Sequence, residues 1–436
     1  MKPNDVKKLL LSKIKKVSEN FRLYTINPKT DFTRTRKLSF KDVVSCVIGM
    51  SGCTLHQELT DYFGYSKTIA TTSAFIQQRS KIKVKAFENI FKSFSILNQY
   101  DNNLRVLAID GTDLHIPANK DDTDSLYLGS SAQKLYNLLH LNALYDINKN
   151  IYLDAVIQKS RKENEHKALT EMVDRSEIEQ ALVIADRGYE SYNNMAHIQE
   201  KGWKFLIRVK DGKYGICDKL VLPSTDCFDF KVGLNLTRKQ TNEAKELFAE
   251  PNRYRFIPTN INFDYLPPRS SCRDSMKVYT LFFRVVRFKI TNDSYETIVT
   301  NLAEEDYPPE RIKELYAMRW GIETSFRNLK YTVGLAKFHT KKVMCVEQEI
   351  FARLIMYNFV EMITSYVVIN GKPKRHTYKT NFSVAVHVCR AFFKGKNTSP
   401  YVETTIANNT IPVRPGRQSP RKNRNRTFTG FQYRVA

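Results

Sequence analysis

Long apolar runs are missing from this chain: the most apolar extended segment, Leu354 to Ile369, is interrupted by Asn358 and Glu361, so no membrane span is expected. Paired cysteines are missing too. The seven cysteines are odd in number, scattered, and never spaced C-x-x-C, which excludes a disulfide framework and a zinc knuckle and fits a reducing cytoplasm. The eight histidines form no H-x-x-x-H or His-Cys grouping, so zinc chemistry lacks its usual signature. The amino terminus has neither the apolar core nor the small-residue cleavage site of a secretory signal. Acidic residues are scarce at both ends: residues 1–100 carry 18 Lys and Arg against 7 Asp and Glu, and residues 411–436 carry 7 basic residues and no acid.

What is present is enough apolar material for a full core, 42% of 436 residues, together with a formal net charge of +24. That charge favours a polyanionic partner, with nucleic acid as the default. The basic ends could contact phosphate, while the nearly balanced middle suits a folded body that needs carboxylates.

Helical spacing dominates residues 1–100. Val6, Leu9, Leu10, Ile14 and Val17 alternate with lysines, a pattern that suits a DNA-facing or solvated helix better than a lipid-bound one. Ser39 can cap a helix through Val43, Val44, Val47 and Ile48, and Thr72 or Ser73 can cap another through Ala74, Phe75 and Ile76. The segment reads as a basic helical domain for DNA, or as a packing cap on the rest of the chain.

At Arg105 the period changes. Val106 to Asp110 is a continuous apolar run ending in a carboxylate and bounded by Gly111, the pattern of a buried central strand. A hairpin follows, His140 to Asp146 and Ile151 to Gln158, then a helix over Asn164 to Ile178, a second buried strand Ala181 to Asp186, a helix Asn193 to Glu200 and a strand Trp203 to Val209. Three strands, a helix, a strand, a helix and a strand make the element order of a ribonuclease H-like α/β fold, a mixed sheet flanked by helices. This gives a first core segment over 101–210 and a β-rich insertion over 211–301. A core helix region follows over 302–342, opened by Pro308 and Pro309 and helical from Glu310 to about Tyr331, then a helical region over 343–410 and a basic tail over 411–436 that cannot pack.

In such a sheet the strands ending in Asp110 and Asp186 lie parallel, and their carboxylates share one edge, where two divalent cations could be held for phosphoryl transfer. Hard oxygen donors select Mg²⁺, with Mn²⁺ as a substitute. Taken singly, either Asp could instead be a turn former. On the long helix Tyr316, Arg319, Glu323 and Lys330 fall within an arc of roughly 60° at about 100° per residue. They form either a solvated ridge with an Arg319–Glu323 ion pair or a metal-ligating carboxylate beside phosphate clamps. Asp113 reads as a turn cap rather than as a supporting ligand, and Tyr295 as a cross-strand tyrosine more than as an aromatic wedge for a flipped base.

The spacing Tyr316-x-x-Arg319-x-x-x-Glu323-x-x-x-x-x-x-Lys330 resembles the Y-R-E-K signature of bacterial insertion-sequence transposases of the DDE class. Ile109-Asp110-Gly111-Thr112 and Asp186-Arg187-Gly188-Tyr189 resemble that family's two aspartate motifs, in the same order and with a long β-rich stretch before the Glu. The resemblance implies a cut-and-paste DNA transposase in which Asp110, Asp186 and Glu323 bind the metal pair and act in catalysis. It further implies that Tyr316, Arg319 and Lys330 hold DNA phosphate near the cut. Its expected partners are double-stranded DNA, as element ends and target, and a second copy in a synaptic homodimer. A hairpin intermediate, formed when a freed 3′ hydroxyl attacks the opposite strand, is carried over with it. A nuclease without strand transfer and a silent DNA-binding descendant are the alternatives.

Overall fold

The computed structural model describes residues 1–64, 69–95, 104–127, 135–268, 276–291, 294–367 and 378–413. Five helices open the chain: α1 (Pro3–Glu19), α2 (Phe40–Gly49), α3 (Leu55–Phe63), α4 (Thr72–Arg79) and α5 (Val84–Ser95). Ser39 caps α2 in a reciprocal box with Asp42, as its sequence predicts. The cap of α4 is Thr71, one residue earlier than expected, because its side chain accepts the Ala74 N–H. Val6, Leu10, Ile14 and Val17 of α1 are buried, so its apolar stripe belongs to the core.

The strands β1 (Arg105–Ile116), β2 (Leu126–Tyr127), β3 (Tyr136–Asp146) and β4 (Ile151–Lys159) are followed by α6 (Glu165–Asp174), β5 (Ala181–Ala185), α7 (Tyr192–Glu200) and β6 (Lys204–Val209). β3 lies between β4 and β1, antiparallel to both, while β5 and β6 continue the sheet parallel to β1. That order is the ribonuclease H-like arrangement. Contrary to the sequence reading, β1 does not stop at Asp110. Its antiparallel ladder with β3 runs on to Ile116, whereas its parallel ladder with β5 ends at Ala108. A crevice therefore opens beside Asp110 where one neighbour leaves and the other stays.

The strands of the insertion join the same sheet. β7 (Phe228–Thr237), α8 (Asn242–Leu247), β8 (Tyr254–Phe256), β9 (Tyr279–Thr291) and β10 (Ser294–Thr300) succeed one another, and β10 pairs antiparallel with β6. Among the described residues the result is one sheet of ten strands.

The helix expected over Glu310 to about Tyr331 is divided into α9 (Pro309–Ala317) and α10 (Trp320–Arg327), with a wider π turn over Asn328–Thr332. At the junction Arg319, Gly321 and Ile322 donate to the carbonyls of Tyr316, Met318 and Arg319, three residues back, so the coil tightens there before it loosens. α11 (Val343–Thr364), β11 (Tyr378–Thr380), α12 (Phe382–Phe393), α13 (Ser399–Asn408) and β12 (Thr410–Pro412) complete the described fold. Ile411 and Pro412, placed by sequence in an unpacked tail, pair with Lys379 and Tyr378 because β11 offers them an edge. The basic stretch after Val413 lies outside the described residues.

α11 is buried along most of its length, and its ionic groups explain how the opening helices attach. Arg79 of α4 donates to Glu349 at 2.8 Å and to Gln348 at 2.9 Å, His339 bonds Glu349 at 3.1 Å, and Arg353 donates to the Ser51 carbonyl at 2.8 Å. Paired charges inside a core are costly to separate, so α2 to α4 are fastened to α11 as a cap on the body.

Candidate catalytic site

The register of the sheet builds the site. Leu107 pairs with Val183 and Ala108 with Ile184, and Asp110 and Asp186 each follow two residues after that last pair, at the carboxyl end of the shared ladder. Side chains alternate along a strand. Val106, Leu182 and Ile184 pack with Ile312, Leu315 and Tyr316 of α9, so by parity both aspartates face the side that α9 covers.

Each aspartate is held by the backbone beyond it. Asp110 Oδ1 accepts the Gly111 N–H at 2.9 Å and Asp186 Oδ1 the Arg187 N–H at 2.6 Å. Burial pushes the Asp110 carboxyl up to about 6; the Gly111 N–H and Arg319 pull the other way, and the charges of Glu323 and Glu165 add to the rise. Arg208 stands 4.0 Å from Asp186 and 3.5 Å from Glu296. An open groove of about 1850 Å³ reaches Asp186 from solvent past Arg187, Arg208 and Tyr192.

Glu323, on α10, accepts from Arg319 Nη2 at 2.8 Å. The Arg319 guanidinium also lies 5.9 Å from the Tyr316 ring and 5.3 Å from the Trp320 ring. Two donors here have no acceptor among the described residues, the Tyr316 hydroxyl and Arg319 Nε, although both residues are buried. Burial and the nearby charge of Asp186 push the Tyr316 hydroxyl up to about 12, so it remains a donor. Lys330 is placed differently from its neighbours on the sequence motif. Its Nζ donates to Thr112 Oγ1 at 2.6 Å and to the Asp113 carbonyl at 2.9 Å, which ties the π turn to β1 just past Asp110.

The fold thus gathers Asp110, Asp186, Glu323, Tyr316 and Arg319 around one crevice, with Lys330 bound to the strand that carries Asp110. Among the described residues one His and carboxylate group has ligand atoms within 4.8 Å of one another, and it is Asp113, His140 and Glu163. The Asp110, Asp186 and Glu323 carboxylates do not all come within that distance of one another. Asp113 is mid-strand, not a turn cap: its Oδ1 lies 2.8 Å from His140 Nδ1, directly across from it on β3. His140 Nε2 meets Glu165 Oε1 at 3.1 Å. Burial alone would lower the His140 pKa, but hydrogen bonds to Asp113 and Glu165 and the charge of Glu163 raise it to about 9. Sequence reasoning passed over His140, Glu163 and Glu165. The one local signal was Asn164, whose side chain caps α6 and so fixes Glu165 in its first turn.

Tyr295 is a cross-strand residue opposite Lys289; Arg287 lies 5.2 Å from its ring and Asp226 accepts from its hydroxyl at 3.1 Å.

A family model described as a transposase DDE domain matches residues 101–359. No curated protein sequence matches the chain. A solved structure, a piggyBac transposase synaptic complex with hairpin DNA determined by cryo-EM, is 10% identical with a TM-score of 0.47, covering 97% of this chain and 88% of that one.

Proposed function

From the premise that the chain belongs to the transposase DDE domain family, we propose that it cuts the DNA at the ends of a mobile element and joins those ends to target DNA. The observation that carries this reading is the parallel pairing of β1 with β5, which brings Asp110 and Asp186 to the same end of neighbouring strands, with Glu323 near enough for its charge to act on Asp110.

Asp110, Asp186 and Glu323 hold divalent cations in this reading, Mg²⁺ with Mn²⁺ as a substitute. The donor set fits. All three offer hard oxygen, and Asp110 is raised chiefly by burial, with the charges of Glu323 and Glu165 adding to it, so its charged form lacks the compensation that a cation would supply. Bound there, the cations supply Lewis-acid stabilisation of the oxygens that attack and leave phosphorus. The protein's own groups do the rest. The Tyr316 hydroxyl and Arg319 Nε, buried without acceptors among the described residues, would be satisfied by phosphate oxygens of an incoming strand. Arg319 already rests on Glu323, so it stays aimed at the crevice before DNA arrives. Lys330 ties the π turn that follows the Glu323 helix to β1 just past Asp110, and so keeps that helix against the strand that carries Asp110.

Water directed at the phosphodiester frees a 3′ hydroxyl, and that hydroxyl attacks the opposite strand to give a hairpin, which is reopened before transfer to target. The basic surplus of residues 1–100 and of the tail after Val413 supplies phosphate contacts for element ends and target. A second copy of the chain brings the two ends together.

Incubating the purified protein with linear DNA that carries the inverted ends flanking its reading frame, plus Mg²⁺, tests the reading. Joined products are expected, with Asp186→Asn and Glu323→Gln binding DNA as the parent does but yielding no cuts. Cuts without joining would reduce the activity to a nuclease, a gel shift without either to a DNA binder, and undiminished cleavage by the variants would remove the metal assignment.

A further inference from the structure

We infer that Glu165, gripped by His140, is a positioning residue of the catalytic centre: its carboxylate is wedged between the two aspartate motifs and sets their spacing and charge for cation binding. The inference rests on the metal-binding reading of Asp110, Asp186 and Glu323 above.

The two oxygens of this one side chain lie toward the glycines of both motifs, closely at Gly111 and more loosely at Gly188. A methyl group built on Gly111 would lie 2.5 Å from Glu165 Oε1 and 2.3 Å from His140 Nε2, and one built on Gly188 would lie 3.4 Å from Glu165 Oε2. Gly111 follows Asp110, and Gly188 stands two residues after Asp186. Real Cβ atoms do not approach as closely as the Gly111 distances, so there the absence of a side chain is what admits the carboxylate. By strand alternation Gly111 faces the side of the sheet opposite to Asp110. Glu165 therefore supports the crevice from the α6 side, while α9 and α10 cover the other.

Its own position is fixed at both ends. The Asn164 side chain accepts the Lys167 N–H at 2.9 Å and the Asn164 N–H donates to Gln158 Oε1 at 2.9 Å, which anchors the start of α6 to the end of β4. At the carboxylate, His140 Nε2 is 3.1 Å away, and His140 Nδ1 is in turn held by Asp113 at 2.8 Å and Glu163 at 3.2 Å. A carboxylate locked in this way cannot swing clear when the aspartates draw together on a cation. Outer groups that orient and charge a metal site commonly govern affinity by about 10- to 100-fold.

Glu165→Gln keeps the size of the side chain and an oxygen for His140 while removing the charge. Mn²⁺ binding by the full-length protein without DNA, read from the electron paramagnetic resonance of free Mn²⁺, should weaken by about 10- to 100-fold. The Mg²⁺ concentration for half-maximal DNA cleavage should rise by a similar factor, with the rate at saturating Mg²⁺ within a few fold of the parent. Unchanged Mn²⁺ affinity and unchanged Mg²⁺ dependence would overturn the inference. Asp110→Asn, measured alongside, separates the two levels. If it too binds Mn²⁺ like the parent, the metal-site reading itself fails; if it loses the ion and only Glu165→Gln does not, the inference alone fails. Should Glu165→Gln not fold, His140→Gln carries the same test, because it frees the same carboxylate, and parental Mn²⁺ affinity in that variant would overturn the inference.

Discussion

Replacing Asp110 by Asn should stabilise the metal-free protein at neutral pH, even though it should abolish activity. Asp110 is charged at pH 7 in a place that burial and the charges of Glu323 and Glu165 make unfavourable, and its carboxyl is raised from 3.8 to about 6. An acid raised on folding contributes stability that is complete below its unfolded value near 3.8 and is lost as the pH rises through about 6. At about 1.4 kcal/mol for each tenfold change in proton affinity, the loss comes to about 3 kcal/mol. The substituted amide would keep an oxygen for the Gly111 N–H and carry no charge at any pH. The variant should therefore exceed the parent by about 3 kcal/mol at pH 7.5 and match it below about pH 4. With an unfolding entropy of about 2.1 cal/mol/K per residue, that corresponds to a Tm higher by about 3 °C. Differential scanning calorimetry without divalent ions at pH 4 and pH 7.5 measures both. Mg²⁺ should raise the Tm of the parent more than that of the variant, since a cation relieves what the substitution has already removed. A variant less stable at pH 7.5, or an advantage that persists unchanged at pH 4, would refute the picture of crowded carboxylates.

Arg319→Ala should weaken complex formation with element ends and reduce the slope of log affinity against log salt by about 1, as one phosphate contact would. A slope equal to the parent's would count against the contact. Glu349→Ala should lower stability by about 3 to 5 kcal/mol in denaturant unfolding, because it leaves Arg79 and Arg353 buried without their carboxylate. A loss below about 1 kcal/mol would mean that the opening helices are not fastened to α11 through this group.

The parts of this fold that can be read from sequence are those whose signal is local. Val106 to Ile109 and Ala181 to Ala185 are continuous apolar runs, so each announces a strand buried on both faces, and the acids that follow them fall at the carboxyl ends. Where two partners disagree about where a strand ends, sequence does not help: β1 outlasts β5 because β3 still pairs with it, and nothing in Gly111-Thr112-Asp113 says so. The proline pair announces α9, but the tightened junction at Met318 to Ile322 and the π turn that carries Lys330 depend on what the helix packs against. Helical spacing also showed which faces of the first helices are apolar, without showing that α11 covers them. Arg79 and Glu349 are 270 residues apart, and such a pair leaves no trace in periodicity. The same holds for Glu165. Its role is visible only once β3 has brought His140 opposite Asp113 and α6 has brought the carboxylate against Gly111.

The central claim is that Asp110, Asp186 and Glu323 share a divalent cation. Diffraction from crystals soaked in Mn²⁺ and recorded at the manganese absorption edge locates such an ion directly. Anomalous density bounded by those three carboxylates is the predicted result. Density confined to Asp113, His140 and Glu163, with none in the crevice between β1, β5 and α10, would contradict it.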